Sequence, residues 1–294
     1  MEIQLSPPNT KFMENLTIVI LCAGEGKRAK GIADNLPKPL IKVESLKNRS
    51  ILTILISLLY RFGIKPIVIV TGYLGMQIEK DINSFQAKNQ YKSEAIIINN
   101  AGNRYKLGPL HSFLSITRNK QVFKTNDLFL VLPGDTIFTY ELIEEILKLF
   151  KDNYAEINQN SIIFYRRTTK LALNKGTEKC GPMHNKMLSC VRTKEKGSKQ
   201  YVKEIYQRNI NTLSDEEEFN QIIPAFIITY DYVKNFENLA SKIKLNKIID
   251  AINSSIKNDM EFLACRVKSD KNFYDIDTAL DLTSVNRFYK KSGQ

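Results

Sequence analysis

From Thr17 to Cys22 the chain is almost wholly apolar and β-branched and then stops at glycine, the pattern of a strand buried on both faces of a parallel sheet. Ser50 precedes a helix-like apolar segment, Ile51 to Phe62, and stands where it would cap the first turn, with Gly63 past the last. A second strand is expected over Ile67 to Val70, an amphipathic helix over Met76 to Phe85, and a third strand over Ala95 to Ile98 ending at Asn99-Asn100. Leu110 to Thr117 reads as a helix, Leu128 to Leu132 as a strand halted by Pro133-Gly134-Asp135, and Tyr140 to Phe150 as a strongly periodic helix.

After Asp152 the pattern changes. Strand-like runs at Ser161 to Tyr165, Tyr201 to Tyr206 and Ile222 to Tyr230 are separated by polar stretches, of which 174–198 and 209–220 look like excursions from the sheet. A helix is expected over Lys242 to Ile256, a strand over Glu261 to Val267, and a closing helix over Ala279 to Tyr289. This order predicts an α/β fold: a doubly wound, mostly parallel sheet whose ligands sit beyond the carboxyl ends of the strands. One domain, 16–294, would hold a nucleotide-binding half (16–152), an acceptor-binding half with an inserted β region (153–270) and a closing segment (271–294). Residues 1–15 and 291–294 are expected to fray.

Composition narrows the class. No apolar run approaches the roughly 20 residues that span a bilayer, and Pro7, Pro8, Lys11 and Glu14 interrupt what a signal peptide would keep apolar, so a cytoplasmic protein without a membrane partner is expected. The cysteines at 22, 180, 190 and 265 form no C-x-x-C pair, and Cys180, His184 and Cys190 match no common zinc spacing, so reduced thiols are expected. Of the net charge of +12, nine arise between Tyr165 and Lys203, where eleven Lys or Arg face two acidic residues. That segment lacks the aromatic interleaving of a single-strand binder, and nucleic acid is not the expected partner.

Candidate chemistry gathers at the strand ends. In Cys22-Ala23-Gly24-Glu25-Gly26-Lys27-Arg28, the glycines let backbone N–H groups approach a phosphate, while Arg28 and Lys38 add fixed positive charge. No Walker A loop is present, and Gly31 and Pro37 interrupt the helix that a dinucleotide fingerprint requires. Asp135, at the end of a strand, offers a hard oxygen ligand suited to Mg²⁺, or alternatively begins a helix. Asp275 and Asp277 alternate so that both face one side of an extended strand, which is costly without a cation.

Cys22-Ala23-Gly24-x-Gly26-x-Arg28 followed by Pro37-Lys38-Pro39-Leu40 resembles the signature of the sugar-phosphate nucleotidyltransferases and of the related molybdopterin guanylyltransferase-like proteins. The resemblance implies a Rossmann-like, GT-A-like fold in which the loop from Cys22 and Ala23 through Gly24, Gly26 and Lys27 wraps an NTP. It makes Arg28 and Lys38 phosphate ligands, and Asp135 and Asp275 the Mg²⁺ pair, with Asp277 orienting a loop or starting the last helix. Cys22 stands where alanine is usual, and Lys27, in place of Thr or Ser, either adds a phosphate contact or faces solvent. Gly108 and Ser112 fall where relatives recognise the base, although Gly108-Pro109 also reads as an ordinary turn.

Relatives with a hexose acceptor carry Glu-Lys where this chain has Gln207-Arg208, candidate acceptor contacts through a hydroxyl and a phosphate. The expected activity is transfer of an NMP from an NTP to a sugar 1-phosphate or to a polyol or alcohol phosphate. A guanylyltransferase acting on a cofactor precursor, and a non-catalytic nucleotide-binding regulator, are the alternatives.

Overall fold

Alternation within β1 (Leu16–Leu21) sets the layers: Leu16, Ile18 and Ile20 are sealed into one core and Val19 into another on the opposite face. The computed structural model describes residues 14–26, 35–89, 95–125, 127–157, 160–175, 187–268 and 272–291. Lys27, Arg28, Cys180 and His184 lie outside these.

After β1 come β2 (Lys42–Val43), β3 (Arg49–Ser50), α1 (Ile51–Arg61), β4 (Ile67–Thr71), α2 (Gly75–Asn89), β5 (Ile96–Asn100), a 3-10 segment Gly102–Leu107 and α3 (Pro109–Leu114). β6 (Leu128–Pro133), β7 (Thr136–Phe138), α4 (Tyr140–Asp152) and α5 (Tyr154–Ile157) complete the first half. The second half runs β8 (Ser161–Thr169), α6 (Lys170–Lys175), β9 (Met187–Lys196), β10 (Lys199–Asn209), β11 (Glu218–Thr229), α7 (Tyr230–Lys242), α8 (Ile248–Lys257), β12 (Phe262–Val267), β13 (Phe273–Asp275) and α9 (Ala279–Lys291).

Among the described residues, nine strands form one sheet in the order β5-β4-β1-β6-β11-β8-β12-β10-β9. The doubly wound arrangement is present: α1, α2 and α4 bury Leu52, Ile78 and Ile146 on one face, while α3, α7 and α8 bury Phe113, Phe236 and Ile252 on the other. The sheet is mixed rather than mostly parallel. Its first four strands and the β8/β12 pair are parallel, but β11 enters antiparallel between β6 and β8, and β10 is antiparallel to both β12 and β9. The β9–β10 hairpin belongs to this main sheet, tied to β12 at Tyr201↔Leu263 and to β11 at Gln221↔Cys190.

Local chemistry explains several boundaries. Ser50 Oγ accepts from Thr53 N at 3.2 Å, the cap expected of it. The run expected to continue as a strand to Tyr230 instead stops at Thr229 and turns into α7, whose buried Tyr232, Val233, Phe236 and Leu239 keep helical spacing among Asn, Lys and Glu. The helix expected from Lys242 begins at Ile248, and β9 emerges from a stretch expected to be an excursion. No helix among the described residues is long and apolar enough to cross a membrane.

Five of the basic residues between Tyr165 and Lys203 are paired within the fold. Arg167 pairs with Glu218, Lys170 with Asp215, Arg192 with Glu204, Lys196 with Glu261 and Lys199 with Glu156. Such exposed pairs add little stability.

A small third core fixes the end of the described chain. Val285 and Tyr289 of α9 pack with Ile41, Val43, Ile51, Ile137 and Ile276. Burial of Ile276 and Val285 stabilises this docking by about 1.5–3 kcal/mol each. Thr278 and Asp281 form a reciprocal capping box at the start of α9: Thr278 N donates to Asp281 Oδ2 at 2.7 Å, and Asp281 N to Thr278 Oγ1 at 3.3 Å. β13 pairs antiparallel with β7, setting Asp275 opposite Thr136.

Candidate active site

The parallel register brings the carboxyl ends of four strands to one edge, with Leu21 level with Val70 and Pro133, and Thr71 level with Asn100. Backbone bonds stitch the loops that follow: Cys22 N to Val70 O at 2.9 Å, Gly134 N to Leu21 O at 3.0 Å, Tyr73 N to Ala23 O at 3.1 Å and Ala101 N to Thr71 O at 2.8 Å. They enclose a cleft of about 480 Å³ lined by Cys22, Ala23, Gly24, Gly26, Lys38, Gly108, Ser112 and Asp135. Each of these was singled out in the sequence. Glu25, Tyr105 and Lys106 join them on the cleft wall.

Lys38 is the central charge. Its 3-10 turn, Lys38–Leu40, leaves it 5% exposed, with its stem against Gly26 and its ammonium 2.5 Å from Asp277 Oδ1 and 3.6 Å from Asp135 Oδ2. Gly26 has φ of +61°, and a Cβ there would come within 2.9 Å of Lys38 Cγ, so the loop needs glycine for its conformation and to let the lysine pass. Asp277 therefore holds Lys38 rather than merely turning the chain, while its own backbone N donates to Asp281 Oδ2 at 3.0 Å.

Asp135 lies in the turn between β6 and β7, and α4 starts further on, after Thr139. Burial raises its carboxyl pKa; Lys38 opposes this, and the charges of Asp275 and Asp277 reinforce it. Asp275 Oδ1 accepts from Thr136 Oγ1 at 2.6 Å, and Ile276 N donates to Asp135 O at 3.3 Å, so the β7–β13 ribbon carries the late aspartates to the early one. Ile276 is buried between them on the opposite side, as alternation requires.

These carboxylates are hard oxygen donors whose mutual repulsion a divalent cation would relieve, and the set fits Mg²⁺. Among the described residues, no three His, Cys, Asp or Glu side chains form a ready-made metal cluster. A cation here would take one or two protein carboxylates and complete its shell from substrate and water, the habit of Mg²⁺. Cys22 is buried, and burial followed by the charge of Asp135 pushes its thiol well up, so it stays neutral and acts as packing.

The second half reaches the cleft through the loop before α8. Leu110 N donates to Asn246 O at 3.0 Å, and His111 Nε2 lies 2.9 Å from Leu245 O. Gly108, at φ of +109°, has Asn246 O 2.5 Å from where a Cβ would stand. Gly108→Ala is therefore expected to cost about 1–3 kcal/mol, measured as a fall of several degrees in Tm. The Ser112 hydroxyl turns onto Gly108 O at 3.3 Å, so its helix role and its place on the cleft wall coexist.

Gln207 and Arg208 are not brought to this cleft. They lie on β10 opposite Ser189 and Leu188, and Arg208 Nη1 is paired with Glu217 at 2.5 Å. Arg166, on β8 between Gln221 of β11 and Val267 of β12, is buried instead. It donates to Gln221 Oε1 at 3.0 Å and Asn272 Oδ1 at 3.1 Å, with its guanidinium 5.0 Å from the Phe273 ring centre, and burial lowers its pKa to about 10.

A model of the MobA-like NTP transferase domain matches residues 18–251. No curated protein matches the chain in sequence. Among solved structures, UDP-glucose pyrophosphorylase complexed with UDP-glucose superposes with a TM-score of 0.65 at 16% identity, over 94% of this chain and 98% of that one. The inositol-1-phosphate CTP transferase from T. maritima gives 0.64 at 15% identity, over 94% and 95%. CTP:phosphocholine cytidylyltransferase from Streptococcus pneumoniae gives 0.59 at 13%, over 93% and 99%. At these identities the likeness is one of fold.

Proposed function

The chain belongs to the MobA-like NTP transferase domain family, and from that premise we propose that it transfers an NMP from an NTP to a phosphorylated small molecule and releases pyrophosphate. The observation that carries this reading is Lys38 held between Asp135 and Asp277 at the mouth of the glycine loop, a cation fixed among carboxylates beside backbone donors. The acceptor is a sugar 1-phosphate or a polyol or alcohol phosphate. Similar folds act, by their descriptions, on UDP-glucose, inositol 1-phosphate and phosphocholine, which supports that range.

In this reading the backbone of Gly24 and Gly26 receives the triphosphate, and Lys38 stabilises charge on its oxygens. Arg28 adds a second cation to the same phosphates. An acceptor phosphate oxygen attacks the α-phosphorus in line, the bond from the α-phosphorus to its bridging oxygen breaks, and pyrophosphate leaves with that oxygen. Asp135 and Asp275 would hold Mg²⁺, which would supply charge neutralisation to the phosphates. Tyr105, Gly108 and Ser112 border the base, and Gln207 and Arg208 are not among the residues that line the cleft.

The test is a pyrophosphate-release assay with Mg²⁺, crossing the four common NTPs with hexose 1-phosphates, inositol 1-phosphate, phosphocholine and related esters. Turnover concentrated on one nucleotide and one acceptor class is the expected result. No release from any pair would overturn the reading.

A further inference from the structure

Consecutive residues of the 3-10 segment Gly102–Leu107 line different cavities: Tyr105 and Lys106 face the cleft, and Arg104 faces a second cavity of about 450 Å³ beyond the end of edge strand β5. That volume is in the range of small-molecule sites. Arg118 and Lys120 join Arg104 on its wall, with the amides of Asn99, Asn119 and Gln121 between them, and no Asp or Glu lines it.

The fold sets these groups rather than leaving them to wander. Buried Asn99 donates to Ser115 Oγ at 2.8 Å and accepts from Asn119 Nδ2 at 3.4 Å, which fixes the floor of the cavity. Arg104 Nη1 donates to Leu114 O at 3.2 Å, which aligns its guanidinium along one wall. Burial and then the charge of Arg118 lower the Arg104 pKa, so two guanidinium groups are held where their charges oppose each other. Glu237, which acts on Arg104 from outside the cavity wall, is already engaged by Thr117 Oγ1 at 2.8 Å and Lys234 at 3.4 Å. Repelling cations with amide donors beside them suit an anion with several oxygens, and guanidinium forks match phosphate geometry.

We propose that this cavity is a second anion site, separate from the cleft, that binds a phosphate-bearing small molecule through Arg104, Arg118 and Lys120. The ligand is either inorganic pyrophosphate or a phosphate monoester, since both present the same oxygens. Because Arg104 shares its segment with Tyr105 and Lys106, an anion bound there bears directly on the wall of the nucleotide cleft.

Titration calorimetry of the full-length protein without metal tests this, with pyrophosphate and glycerol 3-phosphate as probes. Arg118 and Lys120 are exposed, so Arg118→Ala/Lys120→Ala should fold with an unchanged Tm. At least one probe is expected to bind the wild type and to lose affinity tenfold or more in that double variant and in Arg118→Glu. Preference for pyrophosphate identifies the inorganic ligand, and preference for glycerol 3-phosphate identifies the ester. Affinities for both probes within twofold of wild type in both variants would overturn the site. Lys38→Met removes only the cleft's share of binding, so failure of the transferase reading would leave the Arg118-dependent site in place.

Discussion

Asp135→Asn should be inactive and yet no less stable than the wild type. The amide keeps the shape of the side chain, and the turn is held by backbone bonds from Gly134 N to Leu21 O and from Ile276 N to Asp135 O, which the substitution leaves intact. What is lost is the charge, and with it the ability to hold a cation against transferring phosphates, so pyrophosphate release is expected to fall by about 10²–10³-fold or more. Stability moves the other way because burial and two neighbouring carboxylates already disfavour the ionised form. Lys38 keeps Asp277 at 2.5 Å. Parallel measurement of turnover and Tm checks both halves, and near-normal turnover would remove Asp135 from the chemistry.

Lys38→Met should damage activity and stability together. Methionine replaces the buried stem but leaves Asp135, Asp275 and Asp277 without the ammonium that sits between two of them. Turnover is expected to drop by about 10²-fold or more. The side chains of Asp135 and Asp277 are 36% and 21% exposed, so water screens part of the repulsion. The loss of stability is then on the order of 1–3 kcal/mol, less than for a sealed pair.

Its pH dependence has a definite sign. Lys38 is the charge that lowers the Asp135 pKa against burial, so the variant's carboxyl is raised further. A carboxyl raised in the folded state holds its proton there after the unfolded chain has released it, and stability falls as pH rises from the ordinary carboxylate value to the raised one. The Tm deficit should therefore be larger at pH 7 than near pH 4, and adding Asp277→Asn should recover part of it. Equal deficits at both values would show that packing, not charge, is what the lysine supplies.

The first half of the chain was legible because its signals are local. A β-branched run ending in glycine, a serine before an apolar helix and a strand halted at Pro133-Gly134-Asp135 each record their own backbone, and the structure keeps them. The second half depends on contacts that sequence spacing does not carry. β11 is apolar in the manner of any buried strand, and nothing in Glu218–Thr229 reveals that it lies antiparallel between β6 and β8. The polar residues of α7 hid its apolar face, and the alternating charges of β9 looked like a solvated loop until the paired strand supplied the other half of the pattern.

The candidate site divides along the same line. The alternation of Asp275 and Asp277 announced two carboxylates on one side, but it did not announce that Asp277 reaches Lys38, 239 residues away. Gln207 and Arg208 were singled out by likeness of position alone, and the sheet turns them to Ser189, Leu188 and Glu217 instead. Tyr105 had no motif to mark it. Its place on the cleft follows from the 3-10 segment that sets it beside Ala23 and Gly72.

The distance in sequence between Lys38 and Asp277 also orders events during synthesis. The parallel strands β1, β4, β5 and β6 all precede Asp277 in the chain, whereas Asp135, the other carboxylate beside Lys38, follows directly on β6. The shorter of the two ion pairs of Lys38, to Asp277, therefore waits for β13 and α9 to dock Ile276 and Val285 into the third core.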